Sequence, residues 1–151
     1  MQIINIKKLT PNLGAEIIIE NLFENLTSNN IDKIYKCLIE NKVIFFRNQK
    51  ISNKQHVDFA KSFGEIEPPH PVYPHVEGYP EIVLLENNKN KPPDTDVWHT
   101  DVTFKPNPPF ASILYSRKIP SSGGDTLWSC LSSIYDSLPY EIKNYLMTLN
   151  A

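Results

Sequence analysis

Two side chains in the run Trp98-His99-Thr100-Asp101 are the ones best suited to hold a metal ion, His99 and Asp101. Neutral imidazole and carboxylate both suit iron(II), and a facial set of two histidines and one carboxylate leaves three coordination positions for substrate and oxygen. In an extended segment, residues two apart point to the same side, so this spacing presents the two groups together. The same triplet is also what an ordinary surface hydrogen-bonded pair looks like, and spacing alone does not separate the two readings. The remaining histidines, His56, His70 and His75, all precede His99, and none follows Asp101. Read as single residues, His70 and His75 are packed or exposed rings in a proline-rich loop. Tyr73 reads there as a loop anchor and Thr126 as a good strand former.

Behind these residues stand elements that must position them. Thr27-Ser28 offers a helix start, and Ile31, Ile34, Tyr35, Leu38 and Ile39 recur at helical spacing, predicting an amphipathic helix. It runs into Val43-Ile44-Phe45-Phe46, a short run of β-formers that reads as a buried strand. Ser52 and Gln55 make a capping box, and His56, Phe59, Ala60 and Phe63 share a face before Gly64 stops a second helix. Residues 68–93 are proline-rich loops around one strand at Ile82-Val83-Leu84-Leu85. Extended segments are expected at residues 98–104, 111–116 and 125–128, separated by proline and Gly-Gly turns, and a helix over residues 141–149. The expected class is mainly β with flanking helices.

The whole chain of 151 residues suits one domain, with 40% apolar residues and a net charge of −2. Its fifteen Lys and Arg residues are scattered, which offers nothing to a nucleic acid backbone or an anionic membrane and points to small-molecule partners. No run approaches membrane-spanning length and the N-terminus has no secretory pattern, so a cytoplasmic protein is expected. Cys37 and Cys130 form neither a disulfide framework nor a zinc motif and read as packed thiols.

Taken in order, Leu13-Gly14-Ala15, residues 43–49 with Arg47, Pro71-Val72-Tyr73-Pro74-His75, Pro92-Pro93-Asp94, Trp98-His99-Thr100-Asp101-Val102-Thr103-Phe104 and Gly123-Gly124-Asp125-Thr126-Leu127-Trp128 resemble the taurine/2-oxoglutarate dioxygenases. The resemblance implies a double-stranded β-helix, the cupin-like jelly roll, of which residues 1–151 would be the N-terminal portion of a single dioxygenase domain. It implies iron(II) bound by His99 and Asp101, 2-oxoglutarate as co-substrate with a carboxylate on Thr126, and substrate contacts from His70, Tyr73, Thr95 and Val102. The family usually has asparagine at the position of Thr95, whose shorter hydroxyl loses one amide contact and loosens the link to taurine itself. Trp98 reads as a pocket wall and Trp128 as core.

The activity so implied is hydroxylation of taurine or a related sulfonate with O2, giving sulfite and an aldehyde beside succinate and carbon dioxide. The family's third iron ligand, a histidine, and its arginines for 2-oxoglutarate and substrate have no counterpart here. A homo-oligomer or a complementing C-terminal chain is therefore expected if the chain is active. The alternatives are a truncated remnant or interaction module without catalysis, a dioxygenase for another small organic acid, and a cupin-like ligand-binding domain.

Overall fold

The computed structural model describes residues 5–92 and 97–150. They fall into two compact units, one made of residues 1–49 and 120–151 and the other of residues 50–119.

The first unit is built on a three-stranded sheet in the order β1 (Asn5–Lys8), β2 (Ala15–Ile18), β3 (Ile44–Phe45). β1 and β2 pair antiparallel with Lys8 opposite Ala15, and the hairpin closes through Leu9 N–H to the Gly14 carbonyl at 2.9 Å. Gly14 sits there at φ +89°, a conformation that glycine alone adopts without penalty. β2 and β3 run parallel, which requires a crossover, supplied by α1 (Ser28–Asn41). Thr27 caps α1 by accepting from the Asn30 N–H, and Lys42 ends it at φ +68°. Ala15, Ile17, Ile19, Leu22, Ile34 and Cys37 form the core, each large aliphatic side chain contributing about 1.5–3 kcal/mol by its burial. Two short helices, α3 (Leu131–Ser137) and α4 (Tyr140–Leu146), carry no buried residue.

That second unit holds α2 (Asn53–Lys61) and the hairpin of β4 (His75–Val76) and β5 (Tyr79–Val83). The capping box is present as expected: Gln55 N–H donates to Ser52 Oγ at 3.2 Å and Ser52 N–H to Gln55 Oε1 at 2.8 Å. Val57 and Phe59 are buried, and Phe59 meets Phe63 edge-on with centroids 5.1 Å apart.

Several expectations change. The buried stripe of α1 is Asn30, Ile34, Cys37 and Asn41, with Tyr35 and Ile39 exposed. Two amides take buried places because each is satisfied locally, Asn30 Nδ2 on the Asn25 carbonyl at 2.8 Å and Asn41 Nδ2 on that of Cys37 at 2.9 Å. The strand expected at residues 82–85 begins earlier, as β5, because its partner β4 lies just before it. Residues 98–104, 111–116 and 125–128 form no strand. Extended propensity makes a ladder only where a second strand offers its N–H and C=O groups. The helix expected over residues 141–149 is α4, which starts at Tyr140 behind Pro139 and ends at Leu146, while α3 before it was not expected. Trp128, expected in the core, is 42% exposed and packs edge-on against Phe45 at 5.2 Å, and Trp98, expected as a pocket wall, is 71% exposed. Cys37 is buried, whereas Cys130 is only partly so.

Candidate functional site

His99 and Asp101 do meet, but by a bend instead of by strand alternation. The chain turns after His99: Lys105 N–H reaches the Val102 carbonyl at 3.1 Å, Thr100 and Thr103 hydroxyls bond at 2.7 Å, and Val102 stands at φ +54°. A β-branched residue in the left-handed region carries strain of about 1–3 kcal/mol, and such strain collects at functional sites. Just before this turn, His99 Nε2 lies 3.4 Å from Asp101 Oδ1, with the two side chains 49% and 61% exposed.

The protonation of the ring follows from its other nitrogen. His99 Nδ1 lies 2.8 Å from the Val97 carbonyl, which only accepts, so Nδ1 carries the proton. In the neutral ring Nε2 therefore offers a lone pair toward a carboxylate oxygen, an arrangement that a shared proton or a metal ion between the two would stabilise. Two ligands about 2.1 Å from one metal ion at right angles stand about 3 Å apart, close to the observed separation. A backbone carbonyl on the second nitrogen is how metal-binding histidines are usually oriented. The remaining oxygen, Asp101 Oδ2, accepts from Ser112 Oγ at 3.3 Å. The donor set thus fits two positions of an iron(II) site. Among the described residues no group of three His, Cys, Asp or Glu side chains completes it.

The other histidines are committed elsewhere. His56 Nε2 donates to the Ile113 carbonyl at 3.1 Å, and His75 Nε2 donates to the His70 carbonyl at 2.9 Å. His70 Nδ1 accepts from the backbone N–H groups of Val72 and Tyr73, both at 3.2 Å, which leaves the proton on Nε2 as an exposed donor. The His70 and Tyr73 rings lie 4.7 Å apart, tilted by 43°. The loop thus holds an exposed imidazole donor beside the Tyr73 ring.

Val102 follows Asp101 directly and is half-buried in the strained turn. Thr126 belongs to the other unit, exposed in a non-strand stretch after Gly123 and Gly124, both at positive φ. Thr95 lies outside the described residues, as do Pro93 and Asp94 of the proline-rich motif. Ser112 was not anticipated from sequence: a serine eleven residues from its partner has no local signal that marks it. Cys130 is a second such residue, its thiol lowered to about 7 by hydrogen bonds from Ser132 and Ser133.

Among known proteins, an alkylsulfatase of Acinetobacter baylyi is 36% identical over 151 residues, covering 99% of this chain and 47% of that protein. An alpha-ketoglutarate-dependent sulfate ester dioxygenase of Pseudomonas putida is 37% identical over 132 residues, covering 87% of this chain and 43% of the other. A solved taurine dioxygenase from Burkholderia xenovorans superposes with a TM-score of 0.80 at 37% identity, over 96% of this chain and 51% of that one. The chain spans about half the length of the relatives it matches. Residues 5–151 match the family described as taurine catabolism dioxygenase TauD, TfdA, and the chain belongs to that family of dioxygenases.

Proposed function

We propose that these residues are the N-terminal portion of a jelly-roll dioxygenase that uses iron(II) and 2-oxoglutarate to hydroxylate the carbon bearing a sulfonate or sulfate ester group. The observation that carries this reading is the pair itself: His99 Nε2 and Asp101 Oδ1 turned to each other at 3.4 Å, with the imidazole proton held on the opposite nitrogen by Val97. The names of two relatives, alkylsulfatase and sulfate ester dioxygenase, favour a sulfate ester over taurine, in line with the threonine at position 95.

In this reading His99 and Asp101 hold the metal, and Thr126 holds a carboxylate of 2-oxoglutarate. The third iron ligand and the arginines that bind the two acids come from residues beyond these 151 or from a second chain. Iron with 2-oxoglutarate supplies the oxidising power that a protein side chain lacks. The chain's own residues bind and orient. His70 donates from Nε2 to an oxygen of the sulfo group, and it stays a donor because Val72 and Tyr73 occupy Nδ1. Tyr73 lies against the His70 ring and limits its rotation. Thr95 and Val102 contact the remainder of the substrate. The product hydroxylated at the carbon bearing the sulfo group then falls apart to an aldehyde. A sulfonate leaves as sulfite and a sulfate ester as sulfate. The reading takes the protein as cytoplasmic and its partners as the small substrate and O2.

The leaving group makes the test. Completed by the portion that supplies the third iron ligand and the arginines, and incubated aerobically with iron(II), 2-oxoglutarate and either hexyl sulfate or taurine, the protein is expected to release sulfate from the first in excess of sulfite from the second, with one succinate per anion. Sulfite predominating would shift the substrate to sulfonates. Succinate without either anion would point to another small organic acid, and neither succinate nor anion would favour the non-catalytic remnant.

A further inference from the structure

We infer that Ser112 is a positioning residue for the metal-binding carboxylate, its hydroxyl holding Oδ2 of Asp101 so that Oδ1 is the single oxygen presented beside His99. This rests on the metal assignment proposed above. Ser112 Oγ lies 3.3 Å from Asp101 Oδ2, while the other oxygen of the same carboxylate faces His99 Nε2 at 3.4 Å. Each oxygen of Asp101 thus has its own neighbour. The torsion that turns a carboxylate about its Cβ–Cγ bond is broad and soft, so without a partner on Oδ2 the group is free to turn away or to offer both oxygens.

The stretch that carries Ser112 is itself fixed from a different direction. The Ile113 carbonyl accepts from His56 of α2, the Tyr115 hydroxyl accepts from the Ile51 N–H at 3.4 Å, and Arg117 Nη2 donates to Asn53 Oδ1. The Arg117 guanidinium also lies 5.1 Å from the centre of the Tyr115 ring, and that ring stands edge-on to His56. Three successive odd-numbered residues therefore tie this stretch to the start of α2, and the even-numbered Ser112 is left to meet Asp101. In chemical terms, α2 steadies residues 113–117, these carry Ser112, and Ser112 sets which oxygen of Asp101 is offered. Outer partners of metal ligands change affinity by about 10–100-fold, and an exposed hydroxyl at this distance belongs at the lower end.

The experiment is a titration of the full chain, completed by the portion that supplies the third iron ligand, with Mn(II) in the presence of 2-oxoglutarate, free Mn(II) being counted by its paramagnetic resonance signal. Ser112→Ala is expected to weaken Mn(II) by about tenfold, and Ser112→Thr, which restores the hydroxyl, to keep wild-type affinity. His99→Ala is expected to lose the ion, and all three variants to melt with the wild type because the altered side chains are exposed. Equal affinity of Ser112→Ala and wild type overturns the inference and leaves the metal assignment standing, as does a loss in Ser112→Thr equal to that in Ser112→Ala. A wild-type protein that takes up no Mn(II) overturns the metal assignment, and the inference with it.

Discussion

At the scale of single residues, what distinguishes His99 is the nitrogen that carries its proton. A surface histidine hydrogen-bonded to water has no fixed tautomer, whereas Nδ1 of His99 is held on the Val97 carbonyl. Its neighbour Val102, at φ +54°, gives a direct measure of what the bend costs. Val102→Gly relieves the strain but loosens the unfolded chain, so urea unfolding is expected to change by less than about 1 kcal/mol, where the same change in an ordinary extended position loses more. The His75 donor to the His70 carbonyl is expected to matter to substrate and little to turnover. His75→Phe keeps a ring and removes one neutral hydrogen bond, worth about 1 kcal/mol, so KM for the sulfo substrate should rise about fivefold with kcat nearly unchanged in steady-state assays. Cys130 has its own pH signature. Hydroxyl donors from Ser132 and Ser133 favour the thiolate, so alkylation by iodoacetamide should rise through pH about 7 and level off above it. Burial pushes the Cys37 thiol up, and that residue should react far more slowly at the same pH. Ser132→Ala should move the Cys130 midpoint upward.

Elements repeat the lesson on a larger scale. The parts legible in the sequence are those whose causes are local. Ser52 and Gln55 bond each other across one helical turn, Thr27 caps α1 as a start signal should, and Gly123-Gly124 takes the positive φ angles that a glycine pair allows. Residues 98–104 did not become a strand, because pairing needs a partner that no local pattern supplies. His99 and Asp101, paired in the sequence by residue type, lie 3.4 Å apart, and the strained turn that follows them at Val102 carries no local signal. The rotation of the α1 stripe has the same origin: hydropathy counts Asn30 and Asn41 as polar, and only their backbone partners make them buriable. The capping box also carries a prediction. Ser52→Ala is expected to cost about 1 kcal/mol in chemical denaturation. The loss should reach residues 113–117, which hang on the first turns of α2, and appear there as faster amide hydrogen exchange.

For the whole molecule, large apolar side chains stand in water: Leu131, Tyr140, Tyr145 and Met147 on the last two helices, and Trp98, Phe104 and Leu114 in the loops. Exposed apolar side chains in this number favour association. Sedimentation of the chain is therefore expected to depend on concentration over the micromolar range, and addition of a charge at Met147, as Met147→Glu, to reduce that dependence.

The first unit is assembled from both ends of the chain, with the second inserted between residues 49 and 120. Synthesis on the ribosome runs in one direction, so the contiguous stretch of residues 50–119 is free to close as soon as it emerges. A nascent chain stalled after residue 119 should then already protect residues 50–119 from protease, before residues 120–151 have joined the first unit.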